Sequence, residues 1–201
     1  MRFEYQSPYP TFNRDNVYGK LATLFSVKDA KKFCVALSEV AGMKIRNVVV
    51  ANDKVAGEIL KAKVLRERVT FMPMNRIQFR NLDKNVVKQI HDLTDGAARP
   101  ALDCIEYAPQ YDAVMKQVFG QTFICDDTDS AKKICYNSKF AFTCVTLQGD
   151  KYEPSGGLHG GSAPQGANRL LMIDNYMRGD KNRREKEQSL FQEKKSLEGL
   201  Q

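Results

Sequence analysis

The 201 residues predict an α/β protein of two related subdomains with mixed sheets, followed by a long C-terminal helix. Three observations carry that expectation. An apolar helical stripe, a glycine, a strand, a helix and a second strand follow one another in residues 29–72, and the same order returns in residues 111–147. The run Pro154-Ser-Gly-Gly-Leu-His-Gly-Gly-Ser162 then places four glycines in six positions. From residue 168 to the end the texture changes again, with no proline and a high density of Lys, Arg, Glu and Gln.

Each element has its own signal. Residues 1–16 are rich in Pro, Asn, Tyr and Phe without a sustained period and predict an irregular lead-in, and order begins at Val17-Tyr-Gly-Lys-Leu21. Ala30, Phe33, Cys34, Leu37, Val40 and Ala41 recur at helical spacing, and Gly42 fits the residue just past a helix end. Val48-Val-Val50 is a short apolar strand. Asp53 can cap a helix to about Lys61 that buries Val55, Ile59 and Leu60, and Val69-Thr-Phe-Met72 reads as a strand stopped by Pro73. Residues 85–93 read as a helix, Asp95-Gly96 as a turn, and residues 101–107 as a strand opening the second subdomain. In the second copy, a helix over 111–119 ends at Gly120, Thr122-Phe-Ile-Cys125 is a strand, and Asp127 or Thr128 caps a helix holding Ala131, Ile134 and Cys135. Cys144-Val-Thr-Leu147 closes the repeat. Strand–helix–strand units favour parallel pairing with right-handed crossovers. The expected divisions are residues 1–16, 17–100, 101–166 and 167–201.

The last helix carries Leu170, Leu171, Ile173, Tyr176 and Met177 as a stripe, and Tyr176, Leu190 and Leu197 keep a seven-residue spacing that Arg183 interrupts. So long a helix with so partial a stripe needs a partner helix.

Bulk properties bound the function. A composition of 42% hydrophobic and 27% charged residues fits a folded chain with a core. No apolar run approaches the roughly 18 residues that span a bilayer, and the N-terminus has no apolar signal region, so an intracellular chain without membrane contact is expected. The five cysteines, Cys34, Cys104, Cys125, Cys135 and Cys144, lie in apolar runs without Cys-x-x-Cys spacing and read as buried free thiols. The net charge of +7 favours an anionic partner such as nucleic acid.

A glycine-rich run admits close approach by a phosphate, a ligand or another chain. Phosphate cradles of the Walker type need Gly-Lys-Ser/Thr, and here Gly161 meets Ser162 with no lysine. A dinucleotide fingerprint is also missing. Asp126, Asp127 and Asp129 precede a predicted helix, which suits capping better than metal binding. His91, beside Ile90 and Leu93, reads as structural, and His159 sits inside the glycine run. No catalytic, cofactor-binding or metal-ligating set emerges. Two basic stretches are candidates for phosphate contact: Arg169, Arg178, Lys181, Arg183, Arg184 and Lys186 on the last helix, and Lys61, Lys63, Arg66 and Arg68. Interleaved Glu185 and Glu187 leave a solvated face as the other reading of the first. A nucleotide-binding enzyme using the Gly156–Gly161 loop and a monomeric basic DNA-binding domain therefore stay open as alternatives.

Taken in order, Val17-Tyr-Gly-Lys-Leu, Ala41-Gly42, Asn47-Val-Val-Val50, Thr70-Phe-Met-Pro-Met-Asn-Arg-Ile77, Phe119-Gly-Gln-Thr-Phe-Ile-Cys-Asp126, Ala131-Lys, Thr146-Leu-Gln-Gly-Asp150 and the glycine run resemble the hinge domain of SMC (structural maintenance of chromosomes) proteins. Arg2-Phe-Glu-Tyr and Gln-Gly-Asp-x-Tyr-Glu-Pro-Ser-Gly-Gly-Leu are similar to the condensin branch of that family. Gly42-Met43 departs from the Gly-Gly of many hinges. The resemblance implies a dimerising module whose interface is formed by Gly156, Gly157, Leu158, His159, Gly160, Gly161 and Ser162. It implies pairing with the hinge of the partner condensin SMC subunit, leaves room for a weak homodimer, and implies a nuclear or chromosomal location with a cytoplasmic phase of the cell cycle. DNA contact would fall to Arg169, Arg178, Lys181, Arg183 and Arg184. It also implies that the last helix is the outgoing strand of an antiparallel coiled-coil arm, that residues 1–16 close the incoming one, and that the ATPase heads lie elsewhere in the full protein, so that this stretch is no enzyme. Bulky residues in place of Gly160 and Gly161 are expected to abolish pairing while leaving the monomer folded.

Overall fold

The computed structural model describes residues 3–161 and 165–198, the last segment partly by backbone alone. The first half runs β1 (Val17–Lys20), a 3-10 turn (Leu21–Thr23), β2 (Phe25–Val27), α1 (Ala30–Ala41), a second 3-10 turn (Gly42–Arg46), β3 (Val48–Val50), α2 (Asp53–Lys61) and β4 (Phe71–Pro73). After α3 (Lys84–Leu93) the second half runs β5 (Ala98–Pro100), a 3-10 turn (Ala101–Cys104), β6 (Ile105–Tyr107), α4 (Asp112–Phe119), β7 (Thr122–Cys125), α5 (Thr128–Cys135) and β8 (Thr143–Thr146). A hairpin of β9 (Lys151–Tyr152) and β10 (Leu158–His159) follows, then α6 (Gln165–Glu198).

The two halves are built alike. β1 pairs antiparallel with β3, which pairs parallel with β4. β5 pairs antiparallel with β7, which pairs parallel with β8. Both sheets are thus mixed, as the sequence predicts, and each parallel pair is joined through a helix. β2 and β6, the corresponding strands of the two halves, pair antiparallel with each other, Ser26 opposite Glu106. That ladder joins the halves. The second sheet extends further, in the order β10-β9-β8-β7-β5, whereas the first stops at β4.

Local chemistry explains the elements. The Asp29 side chain accepts the Lys32 amide at the start of α1, and Gly42 ends it at φ +50°, a conformation that costs glycine little. β3 is Val-Val-Val and wholly buried, as suits a central strand covered on both faces. Pro73 is tolerated because β4 is an edge strand. Asp127 caps α5 by accepting both the amide and the hydroxyl of Ser130, which holds its carboxyl below the usual range.

Three apolar clusters fill the interior. One, around Val48, Val50, Val55 and Ile59, belongs to the first half and also takes in Phe12, Phe3 and Tyr5 of the lead-in. Another, around Ile90, Phe123, Ile134 and Cys144, belongs to the second. The largest is shared: Leu21, Val27, Leu37 and Val49 meet Val114, Phe119, Ile124 and Leu170. Phe25 and Phe119 meet edge to face, centroids 5.3 Å apart.

Several expectations need correction. Residues 101–107 are not one strand: Pro100 ends β5, and a 3-10 turn intervenes before β6. The cap of α2 is Asn52, whose side chain accepts the Val55 amide; Asp53 instead holds Asn75 and Arg76. Leu60 is exposed because α2 turns only Val55, Ala56 and Ile59 inward. His91 stands largely in solvent, and its carbonyl accepts the Gly96 amide. Before residue 100, α3 packs into the second cluster and β5 belongs to the second sheet.

Candidate interface edge and basic helix

The glycine run forms the last edge of the longer sheet. Pro154 to Gly157 turn the chain between β9 and β10: the Glu153 amide donates to the Gly157 carbonyl and the Gly156 amide to the Glu153 carbonyl, each at 2.9 Å. Leu158 faces Tyr152 and His159 faces Lys151. Gly156 at φ +95° and Gly161 at φ +146° occupy backbone conformations that other residues resist. Gly160 is crowded rather than strained: a Cβ there would stand 2.5 Å from Asp150 Oδ1, and that side chain would have to shift. Ser162, the last of the expected interface residues, lies outside the described residues.

This geometry speaks against a phosphate site. Two of the turn's amides are already committed to backbone carbonyls. Carboxylates line it, since a Cβ on Gly157 would stand 3.1 Å from Glu153 Oε2. Glu153 also takes Lys151 at 2.5 Å, and that contact lowers its pKa below the ordinary glutamate value. An anion would meet negative charge rather than free N–H groups.

What the run does offer is an edge. Among the described residues β10 pairs on one side only, and Leu158 is 62% exposed. The other sheet also has an open edge, at β4. In the repeat β4 corresponds to β8, and β8 is covered by β9 where β4 is bare among the described residues.

Of the expected DNA contacts, Arg178 and Arg183 have described side chains; those of Arg169, Lys181 and Arg184 do not. Arg183 pairs with Asp180 at 2.7 Å. Arg178 is engaged inward. Its guanidinium donates to the Val27 carbonyl and, at 2.6 Å, to Asp174. Asp174, 3% exposed, in turn accepts the Val27 amide at 2.9 Å. The two side chains of α6 thus complete both backbone hydrogen bonds of Val27, on the strand that joins the halves. Leu170 and Ile173 are buried on the same helix, and α1 lies along it. The sequence stripe revealed the apolar residues but not Asp174; an acidic residue one turn before an arginine, inside an apolar stripe, was the available signal.

All five cysteines are free and buried. Burial pushes the thiols of Cys34 and Cys104 up to about 11, so they stay protonated and unreactive. Among the described residues no cluster of His, Cys, Asp and Glu suits a metal ion, and no helix is long and apolar enough to cross a membrane.

A two-lobed α/β module, joined through one antiparallel ladder and left by a long helix, is the class that this fold defines. The family of SMC proteins' flexible hinge domains matches residues 14–135, and the chain belongs to it. It is 36% identical over 171 residues to human structural maintenance of chromosomes protein 2, covering 85% of this chain but 14% of that protein's length. The Pyrococcus furiosus Smc hinge domain with an extended coiled coil superposes with a TM-score of 0.61 at 29% identity, over 94% of this chain and 67% of that one. An asymmetric dimer of the Geobacillus stearothermophilus SMC hinge domain gives a TM-score of 0.63 at 23% identity, over 90% and 76% of the two chains, a likeness of fold.

Proposed function

We propose that this chain is the hinge dimerisation module of a condensin SMC subunit. It pairs with the hinge of the partner condensin SMC subunit and serves chromosome condensation and segregation. One observation carries the reading: the glycine run presents β10 as an open sheet edge, while the matching position of the other half, beside β4, stands empty among the described residues. Strand addition joins such edges by main-chain hydrogen bonds, with side chains on alternate faces for specificity. If β10 of each hinge lies beside β4 of the other, two junctions close a ring in which both of these edges are covered, β1 and β5 staying as the outer strands of the joined sheets. Gly156, Gly157, Gly160 and Gly161 keep the hairpin narrow enough for a partner backbone to approach, Leu158 supplies apolar contact with His159 next to it, and Ser162 joins the proposed interface on its sequence position alone.

The outgoing helix α6 is one strand of a coiled-coil arm, held to the hinge by Asp174 and Arg178. DNA contact falls to the basic part of that helix, at Arg169, Lys181, Arg183 and Arg184, with Arg178 contributing only through the half of its side chain left exposed. The work is assembly rather than catalysis, and the location is chromosomal.

The test is a mixing experiment with a condensin partner hinge. Gly160 is a poor probe, because its replacement also meets Asp150 within the hairpin. Leu158→Glu leaves the turn and the core untouched. It is expected to abolish co-elution with the partner hinge while the circular dichroism spectrum stays unchanged. Undiminished co-elution contradicts the edge.

A further inference from the structure

The second basic stretch, Lys61, Lys63, Arg66 and Arg68, has no role in an edge between hinges or in the arm. The fold adds to it. β3 and β4 run parallel, so α2 returns between them and its C-terminal end comes back to the strands' starting end. Lys61 and Lys63 stand at that end. Arg66 and Arg68 lead into β4, and Lys44 and Arg46, in the 3-10 turn Gly42–Arg46, lead into β3. The Val48 amide donates to the Thr70 carbonyl, which ties the two approaches together. Six cations from three segments therefore collect at one end of the three-stranded sheet.

The stretch is anchored. Val64 and Leu65 pack against the cluster of Val48, Val55 and Ile59. Lys63 holds φ +53°, and its amide donates to the Leu60 carbonyl. All of Lys44, Arg46, Lys61, Lys63, Arg66 and Arg68 are exposed. None of the six is ion-paired with a carboxylate among the described residues, whereas Lys32, Arg76, Arg99 and Lys116 are all paired. The two carboxylates of these segments are engaged elsewhere: Glu67 with Lys20 at 3.7 Å, and Glu58 with the Tyr9 hydroxyl at 2.9 Å. Like charges fixed together without counter-charges repel one another, and an anionic partner relieves that repulsion.

We infer that this end of the first subdomain is a second DNA site, independent of α6, which takes the phosphate backbone of a duplex without reading its sequence. Six cations spread over three segments match the regular run of charges along a phosphate backbone, and such contacts carry no sequence information. Tyr9, exposed and bonded to Glu58, is a neighbouring ring, and a single-stranded oligonucleotide of equal length run beside the duplex tests it: tighter binding of the single strand overturns the duplex assignment.

The test measures binding of the 201-residue chain to a fluorescent duplex of about 30 base pairs across a salt series, since the log–log salt slope falls by about 0.9 for each phosphate that is no longer neutralised. The variant with Arg46→Gln, Lys61→Gln, Arg66→Gln and Arg68→Gln is expected to lower the slope by about 3 and to weaken binding at least about tenfold near 0.1 M salt. Glu67→Gln, which removes one carboxylate and frees Lys20, is expected to tighten binding. A second variant, Arg183→Gln with Lys186→Gln, reports on α6 alone. An unchanged slope in the fourfold variant overturns the inference, as does abolition of all duplex binding in the α6 variant. Equal binding of a polyglutamate of similar length assigns the patch to an acidic protein and also overturns it. Co-elution with a partner hinge is scored separately, so a failed edge and a failed patch are told apart.

Discussion

Asp174 shows what a single residue does in this hinge. Its carboxylate is buried, accepts the Val27 amide and holds Arg178, which reaches the Val27 carbonyl. Asp174→Ala leaves an amide and a guanidinium without their partner and is expected to cost about 2–4 kcal/mol, read as a lower urea midpoint. Asp174→Asn keeps an acceptor and should cost less; an unchanged midpoint in the alanine variant contradicts the clamp. Asp127 gives a pH prediction. Its folded pKa is depressed by the Ser130 contacts, so its contribution is complete above the unfolded value of about 3.9 and is lost as pH falls through the lower folded value. Asp127→Asn, which can still cap, should preserve most of the stability at neutral pH and flatten the acid limb of the stability curve. A limb as steep as that of the native chain refutes it. Asp127 was readable as a cap from sequence. Asn52 was not, because Asn52 and Asp53 stand side by side and only the fold, by placing Asn75 and Arg76 near Asp53, decides between them.

Among the elements, the repeat was legible because its strands are short apolar runs and the first helix of each copy ends at glycine. The 3-10 turn at Ala101–Cys104 was hidden, because Ala101, Cys104 and Ile105 are all buried and read as one apolar strand. The place of β5 was hidden too, since its partner β7 lies more than twenty residues on. The β9–β10 hairpin was legible as a glycine run but not as an edge, which depends on sheet order. Its glycines are not equivalent. Gly156→Ala should cost about 1 kcal/mol or more through its positive φ. Gly57→Ala, in the open on α2, should stabilise by roughly 0.5–1 kcal/mol. Thermal unfolding of the two variants checks both signs, and a reversed order would refute the assignment of strain to the hairpin.

At the scale of the whole molecule, the halves share one core and one ladder, yet their sheets end differently: the second carries two extra strands, the first none among the described residues. That asymmetry within an internal repeat is what makes an open edge and an empty place on the same chain. The proposed closed pair of hinges uses both features. The measurement that tests this most directly is the mass of the chain mixed with an equimolar condensin partner hinge, taken by light scattering behind a sizing column, beside the Leu158→Glu variant. A one-to-one complex that forms with the native chain and disappears with the variant is the predicted result. Two separate monomer masses with the native chain, or an intact complex with the variant, would contradict it.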